Sequence, residues 1–335
     1  MSKEHRIEYI DFFRGIGIIL MIINHVDFGG VIYNFSHAFH MPMFFIISGL
    51  LYSKKTEQQL STVAFFKKKA KSLLLPYCVL GIIHYLIWIS LYGFSLEPLK
   101  FLFFLNTEKG MPIAGALWFL TALFISETLY FVLDRYSRNR IVFICSVVLL
   151  SLFGTMARML LPFTLPLALS AGFVGVGLFG IGVLLRRASG LEIFTKFENS
   201  KPLFKMLAII ILAVTTFVLI YFNGAVNMRD GRYSLIPLFW INATLATVTG
   251  LLFSKSWLKV SRNSMLNNYV CSIGRESIVY LCLNQLVISF LKRTIDVIKA
   301  PHIVIQLIIL LTSLVILYFI CRITFMTRLK SLFGK

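Results

Sequence analysis

The sequence predicts an all-α fold, a polytopic transmembrane helix bundle of about ten spans with both termini cytoplasmic. Three observations predict it. Of 335 residues, 58% are hydrophobic and 14% charged, with 32 Phe and a mean hydropathy of +0.83, far more apolar surface than a soluble domain of this size needs. Apolar runs near 20 residues in length recur along the chain, continuous rather than short and alternating, which excludes an outer-membrane barrel. Lys and Arg fall in the short connections between these runs, 25 on one set of alternating connections and eight on the other.

In chain order the spans read as roughly 9–27, 38–53, 73–93, 114–133, 140–157, 167–185, 204–222, 235–254, 276–292 and 303–322. The stretches 97–105 and 159–166 are too short to cross and read as interfacial or re-entrant. No linker divides the chain, so residues 1–335 are expected to form a single membrane-embedded domain without a soluble appendage. The first run carries Asp11 and Arg14 and lacks a small-residue cleavage site, as expected of a retained helix rather than a removable signal peptide. The eight basic residues of the poorer side are Lys100, Lys109, Arg158, Arg229, Arg232, Lys292, Arg293 and Lys299; the richer side is expected to be cytoplasmic. The first helix then runs outward, with Arg14 toward the cytoplasm and His25 in the exterior half. The net charge of +19 is a topology signal and does not call for nucleic acid. Cys78, Cys145, Cys271, Cys282 and Cys321 lie in or beside apolar spans without paired spacing, and read as core residues rather than a disulfide or metal framework.

The ionisable residues of the first span, FFRGIGIILMIINHV, sit where each costs about 3 kcal/mol or more on insertion scales. His25 follows Arg14 by 11 residues, about 1,100° of helix or three turns plus about 20°, so Asp11, Arg14, Ile18, Met21 and His25 share one face. Arg14 and His25 then stand about 16 Å apart along the axis. Asp11 and Arg14 either pair or end the helix at the interface. His25 is either packing or the side chain best suited to take a proton from an alcohol.

In HAFHMPMFFIISGLLY, His37 and His40 open the second span, Pro42 suits its first turn, and Ser48 with Gly49 makes a small patch. His25, His37 and His40 lack regular ligand spacing and gain no carboxylate beyond Asp27, so no metal is expected. The better use of His37 and His40 is contact with a polar substrate. The segment FFKKKAKSLLLPY gathers Lys67, Lys68, Lys69 and Lys71 before Tyr77 on the cytoplasmic side, an anchor for anionic headgroups or for a polyanionic cofactor. The span ALWFLTALFISETLYFVL buries Glu127 nine residues after Trp118, where it needs Arg14 or another basic partner. The loop NGAVNMRDGRYS offers Asn227, Arg229, Asp230, Arg232 and Tyr233, suited to sugar hydroxyls and equally ordinary for a solvated loop.

In order along the chain, IDFFRGIGIILMIINHV, FHMPMFFIISGLLY, KSLLLPY, ALWFL and GRESIVYL resemble the acyltransferase family 3 membrane proteins, particularly the fucose 4-O-acetylase-like members. The resemblance spans the whole bundle, and ten helices is that family's number. Its most specific mark, an Arg and a His separated by ten residues in the first helix, falls on Arg14 and His25 and implies His25 as the catalytic residue; Arg14 and, from its spacing on the same face, Asp11 are counted with it as catalytic candidates. The weaker FxxSG piece falls on Phe45, Ser48 and Gly49. One departure stands out: similar proteins often carry a histidine shortly after the SxxIYL-like segment, where this chain has Asn284. An amide hydrogen-bonds but is no base near neutral pH, which shifts proton chemistry onto His25.

The resemblance implies an O-acyltransferase of the plasma or inner membrane. It would move an acyl group, most often acetyl, from cytoplasmic acetyl-CoA or another acyl-CoA to a sugar hydroxyl of a surface polysaccharide or its lipid-linked precursor. Membrane lipid, the glycan acceptor and glycan-assembly proteins are its expected partners. Arg14, Lys68, Lys69, Lys71 and Tyr77 are expected to hold the acyl-CoA, and His37, His40, Ser48, Trp118, Glu127, Asn227 and Asn284 to face the acceptor. A transporter using the same ionisable residues as a proton relay is the competing reading, and it predicts broken helices in two symmetric halves. The sequence carries no convincing internal repeat. A membrane sensor or assembly protein is a third reading, in which His25 is replaceable.

Overall fold

The computed structural model describes residues 7–53, 57, 59–108, 111–188, 197, 199–261, 264–295 and 300–334. Of the basic residues counted above, Lys3, Arg6, Lys54, Lys55, Lys109, Lys196, Arg262, Lys299 and Lys335 lie outside the described residues. The structure is 82% helical, and among the described residues the only β pairing is an isolated bridge between Asn227 and Arg232.

Helix α1 (Glu8–Val26) leads through the short α2 (Gly30–His37) into α3 (Pro42–Leu51). Next, α4 (Thr62–Lys69) continues through a π turn (Ala70–Leu74) into α5 (Leu75–Tyr92), followed by the short α6 (Glu97–Phe103). The remaining helices are α7 (Trp118–Tyr136), α8 (Arg140–Leu160), α9 (Leu169–Ala188), α10 (Pro202–Asn223), α11 (Ile236–Val260), α12 (Met265–Arg275), α13 (Ser277–Ile295) and α14 (His302–Met326).

Among the described residues, eight helices are long and apolar enough to cross a membrane: α1, the α4–α5 rod, α8, α9 with the turn before it, α10, α11, α13 and α14. Two of the ten expected spans differ. The stretch 38–53 contributes only the ten-residue α3, about 15 Å long, too short to cross alone. Helix α7 has the length but carries Glu127, Asp134 and Arg135, which lower its mean hydropathy. The stretch 97–105 holds only the short α6, and 159–166 ends α8 at Leu160 and adds no crossing helix of its own, as their length predicts.

Burial sorts the helices into an inner and an outer set. The most apolar windows of α1 and α9 are each 61% buried, whereas those of α10 and α14 are 17% and 22% buried and turn large side chains such as Ile211 and Leu311 outward, to where lipid would lie. The inner helices meet at small residues. A Cβ added to Gly274 of α12 would strike the Asp11 carbonyl of α1, and one added to Gly15 would strike the Val270 carbonyl of α12. On the far side, Gly49 of α3 lies against the Phe179 backbone of α9 in the same way. These crossings bring backbones to within the thickness of a missing methyl group, the usual solution where helices lack a hydrophobic drive to associate.

Gly274→Ala is therefore expected to destabilise by at least about 1–3 kcal/mol, because backbone on the other helix cannot move aside as a side chain would. Gly30→Ala, where an added Cβ meets nothing within 4 Å, should leave stability unchanged. Thermal unfolding of the two purified variants in one detergent compares them directly.

Candidate active site

Two polar rungs join α1 to α13. At one end, Arg14 Nη2 donates to Ser277 Oγ at 2.8 Å, within the electrostatic reach of Asp11 and Glu276. Nearer the other end, the His25 ring hydrogen-bonds Asn284 through Nδ1 and Oδ1. Asn284 is fully buried, and its Nδ2 donates to the Tyr280 and Leu281 carbonyls at 3.0 and 2.7 Å. Those two bonds fix the amide, so its oxygen faces the imidazole. An amide oxygen only accepts, so Nδ1 carries the proton and Nε2 keeps its lone pair. Asn284 thus orients His25 rather than facing a substrate, and the departure noted in the sequence becomes a tautomer lock. Lys292 Nζ donates to the His25 carbonyl at 3.2 Å, tying the end of α1 to α13.

His25 lines a cavity of about 210 Å³ together with His37, His40, Trp118, Tyr33 and Asn227. His37 and His40 each donate Nδ1–H one helical turn back, to the Tyr33 carbonyl at 3.0 Å and the Ser36 carbonyl at 2.8 Å, leaving Nε2 as an acceptor. Burial pushes the pKa of His37 down to about 4, so it is neutral near pH 7. The loop after α10 covers the cavity as a tight hairpin: Asn227 and Arg232 exchange backbone hydrogen bonds of 2.8 and 2.9 Å, and Gly231 takes the turn's left-handed position at φ +66°. Asn227 Oδ1 accepts from the Arg229 and Asp230 amides, and its Nδ2 donates to the Tyr33 hydroxyl at 2.9 Å, so one side chain shapes the hairpin and pins it over α2.

Among the described residues, two buried amide atoms at this cavity have no hydrogen-bond partner, the donor Asn24 Nδ2 and the acceptor Gln285 Oε1. Orphaned buried polar atoms of both kinds beside one imidazole suit a ligand that both donates and accepts, as a hydroxyl does. Gln285 was not singled out from the sequence, although the consecutive amides of SIVYLCLNQ in an apolar span were a visible signal. Tyr33 was missed because α2 reads as a plain connecting loop.

Other expected site residues are placed elsewhere. Glu127 meets Lys69 rather than Arg14, at 2.8 Å, and accepts from Ser48 Oγ, so these three residues form a buried knot joining α3, α4 and α7. Neither Ser48 nor Glu127 lines the His25 cavity, and Lys69 is committed to its carboxylate. Tyr77 is buried, its hydroxyl donating to the Leu102 carbonyl and accepting from Asn106 at 3.2 Å. Lys68 pairs with Glu57 at 2.8 Å but stays half exposed, and Lys71 is exposed. Among the described residues no group of three or more His, Cys, Asp or Glu is arranged to hold a metal ion, and none of the five cysteines is in a disulfide.

Lys69→Met is expected to cost about 3–5 kcal/mol, because it strands the Glu127 carboxylate in a low-dielectric interior; adding Glu127→Gln should restore much of the loss. Thermal unfolding of the two variants in detergent measures both effects.

The acyltransferase domain of the acyltransferase 3 family matches residues 7–323 by its family model. No curated protein and no solved structure matches the chain. With that match over nearly the whole helical bundle, the chain belongs to the acyltransferase 3 family of membrane acyltransferases.

Proposed function

We propose that this membrane acyltransferase is an O-acetyltransferase, similar in specificity to the fucose 4-O-acetylases, that moves acetyl from cytoplasmic acetyl-CoA to a sugar hydroxyl of a surface glycan or its lipid-linked precursor. The observation that carries the reading is His25 itself: an imidazole with its tautomer set by Asn284, lining a small cavity beside an unsatisfied donor and an unsatisfied acceptor.

The acceptor hydroxyl enters the cavity and donates its hydrogen bond to His25 Nε2. As its oxygen attacks the thioester carbonyl carbon, the proton passes to Nε2; the C–S bond then breaks, and the protonated imidazole returns the proton to the leaving thiolate. A positioned base contributes about 10²–10⁴-fold. An acetyl-imidazole formed on His25 and then attacked by the sugar is the covalent variant of the same geometry. Asn24 and Gln285 would hold the sugar's other hydroxyls. At the opposite end of α1, Arg14 keeps guanidinium N–H groups beyond the one given to Ser277, and Lys68 and Lys71 are exposed in a connection that the charge count assigns to the same side, which suits the phosphates of CoA. The rise of about 16 Å between Arg14 and His25 is comparable to the reach of a pantetheine arm.

With radiolabelled acetyl-CoA and membranes carrying the chain, His25→Ala is expected to lower acetyl transfer to glycan by about 10²–10⁴-fold while eluting as a folded protein. Wild-type turnover in that variant would remove the assignment. Asn284→Leu, which leaves the imidazole in place but frees its tautomer, should lower kcat more than it raises KM. Arg14→Lys keeps the charge but loses the planar fork, so its defect should appear mainly in KM for acetyl-CoA. Uptake of solute into proteoliposomes without acyl-CoA would instead favour transport.

A further inference from the structure

The side of the bundle that holds His25 is the side poor in Lys and Arg, so the basic residues retained there are not topology signals. Three of the eight, Arg158, Arg229 and Arg232, line one cleft of about 490 Å³ between the end of α8 and the hairpin after α10. Arg229 and Asp230 also line the His25 cavity, so the two spaces share a wall.

The hydrogen bonds of this cleft hold the cations without neutralising them. Arg158 Nη1 donates to the Asp230 carbonyl, and Arg229 donates through Nε to the Thr107 carbonyl at 2.9 Å and through Nη2 to the Glu108 carbonyl at 2.6 Å. The two carboxylates of the cleft take hydrogen bonds from neutral groups: Glu108 from Thr164 at 2.7 Å, and Asp230 from Asn227 at 3.1 Å. Among the described residues none of the three arginines forms an ion pair within 4.0 Å, and the Arg232 side chain makes no hydrogen bond. Burial works against the Arg229 charge, with Asp230 and Glu108 only partly offsetting it. Three guanidiniums against two carboxylates leave the cleft net positive, and the planar forks of arginine match oxyanions in pairs.

We infer that this cleft is a binding subsite for an anionic group of the acceptor glycan, a phosphate or a carboxylate carried beside the hydroxyl that reaches His25. The inference rests on the acetyl-transfer reading for what occupies the neighbouring cavity, but its own evidence is the cleft. The acceptor would then be an acidic glycan or a sugar still bearing its phosphate, and a neutral sugar would engage only half of the site.

The test is direct binding to the purified full chain in discs of zwitterionic lipid, followed by tryptophan fluorescence and thermal stability. The probes are glucose 1-phosphate, methyl glucuronide and neutral methyl glucoside. At least one anionic probe should bind saturably and weaken as salt rises, the neutral glycoside should not compete, and which anion binds separates phosphate from carboxylate. Arg232→Gln, which breaks no hydrogen bond of the fold, should keep its unliganded stability and bind the anionic probe about tenfold more weakly, the loss of one charge-assisted hydrogen bond. His25→Ala should lose acetyl transfer while keeping saturable, salt-sensitive binding of the anionic probe. Equal binding of neutral and anionic probes, wild-type affinity in Arg232→Gln, or displacement by phosphatidylglycerol discs alone would overturn the inference. Anion binding that survives while no variant or wild type transfers acetyl would count against the acetyl-transfer reading and leave the subsite standing.

Discussion

The backbone contact of α1 with α12 at Gly15 and Gly274 is the constraint on which the rest of the site depends. It fixes α1 laterally at the point where its charged residues begin. Because α12 runs almost directly into α13, the same contact sets α13 beside α1 for the rest of its length. Arg14 then finds Ser277, and His25 finds Asn284. A wider crossing would break both rungs together and leave an imidazole with no defined tautomer at the depth where a wandering proton is most costly.

The polar groups inside the bundle divide by whether the fold itself satisfies them. Glu127, Lys69 and Ser48 answer one another, and Asn106 Nδ2 donates to both Tyr77 and Thr121, so both sets hold helices together. Asn24 and Gln285 are not answered, and neither are the three arginines of the neighbouring cleft in the sense of charge. Beside one histidine, an unanswered donor and an unanswered acceptor stand where a single ligand would complete both.

The replacement of an expected histidine by Asn284 illustrates how a departure in sequence acquires its meaning in three dimensions. Taken alone, an amide in that place is weaker chemistry than an imidazole. Beside His25, with its nitrogen held by two carbonyls one turn back on its own helix, it does what a neutral acceptor does well: it holds a proton on one ring nitrogen and leaves the other free.

Much of the molecule was legible in the sequence. Composition and apolar run length determine a helical membrane bundle, because lipid leaves the backbone of such runs little choice but to bond within each helix. The 3.6-residue period alone puts Arg14 and His25 on one face, and that local geometry needs no partner to hold. What only the tertiary structure decided were the partners: Lys69 rather than Arg14 for Glu127, Asn284 for His25, Asn227 for Tyr33, and the ten-residue length of α3. Those contacts join residues up to 259 positions apart. Periodicity reports which face of a helix a residue occupies, whereas the neighbour it meets is set by how close two backbones come, and that was decided at the glycine crossings.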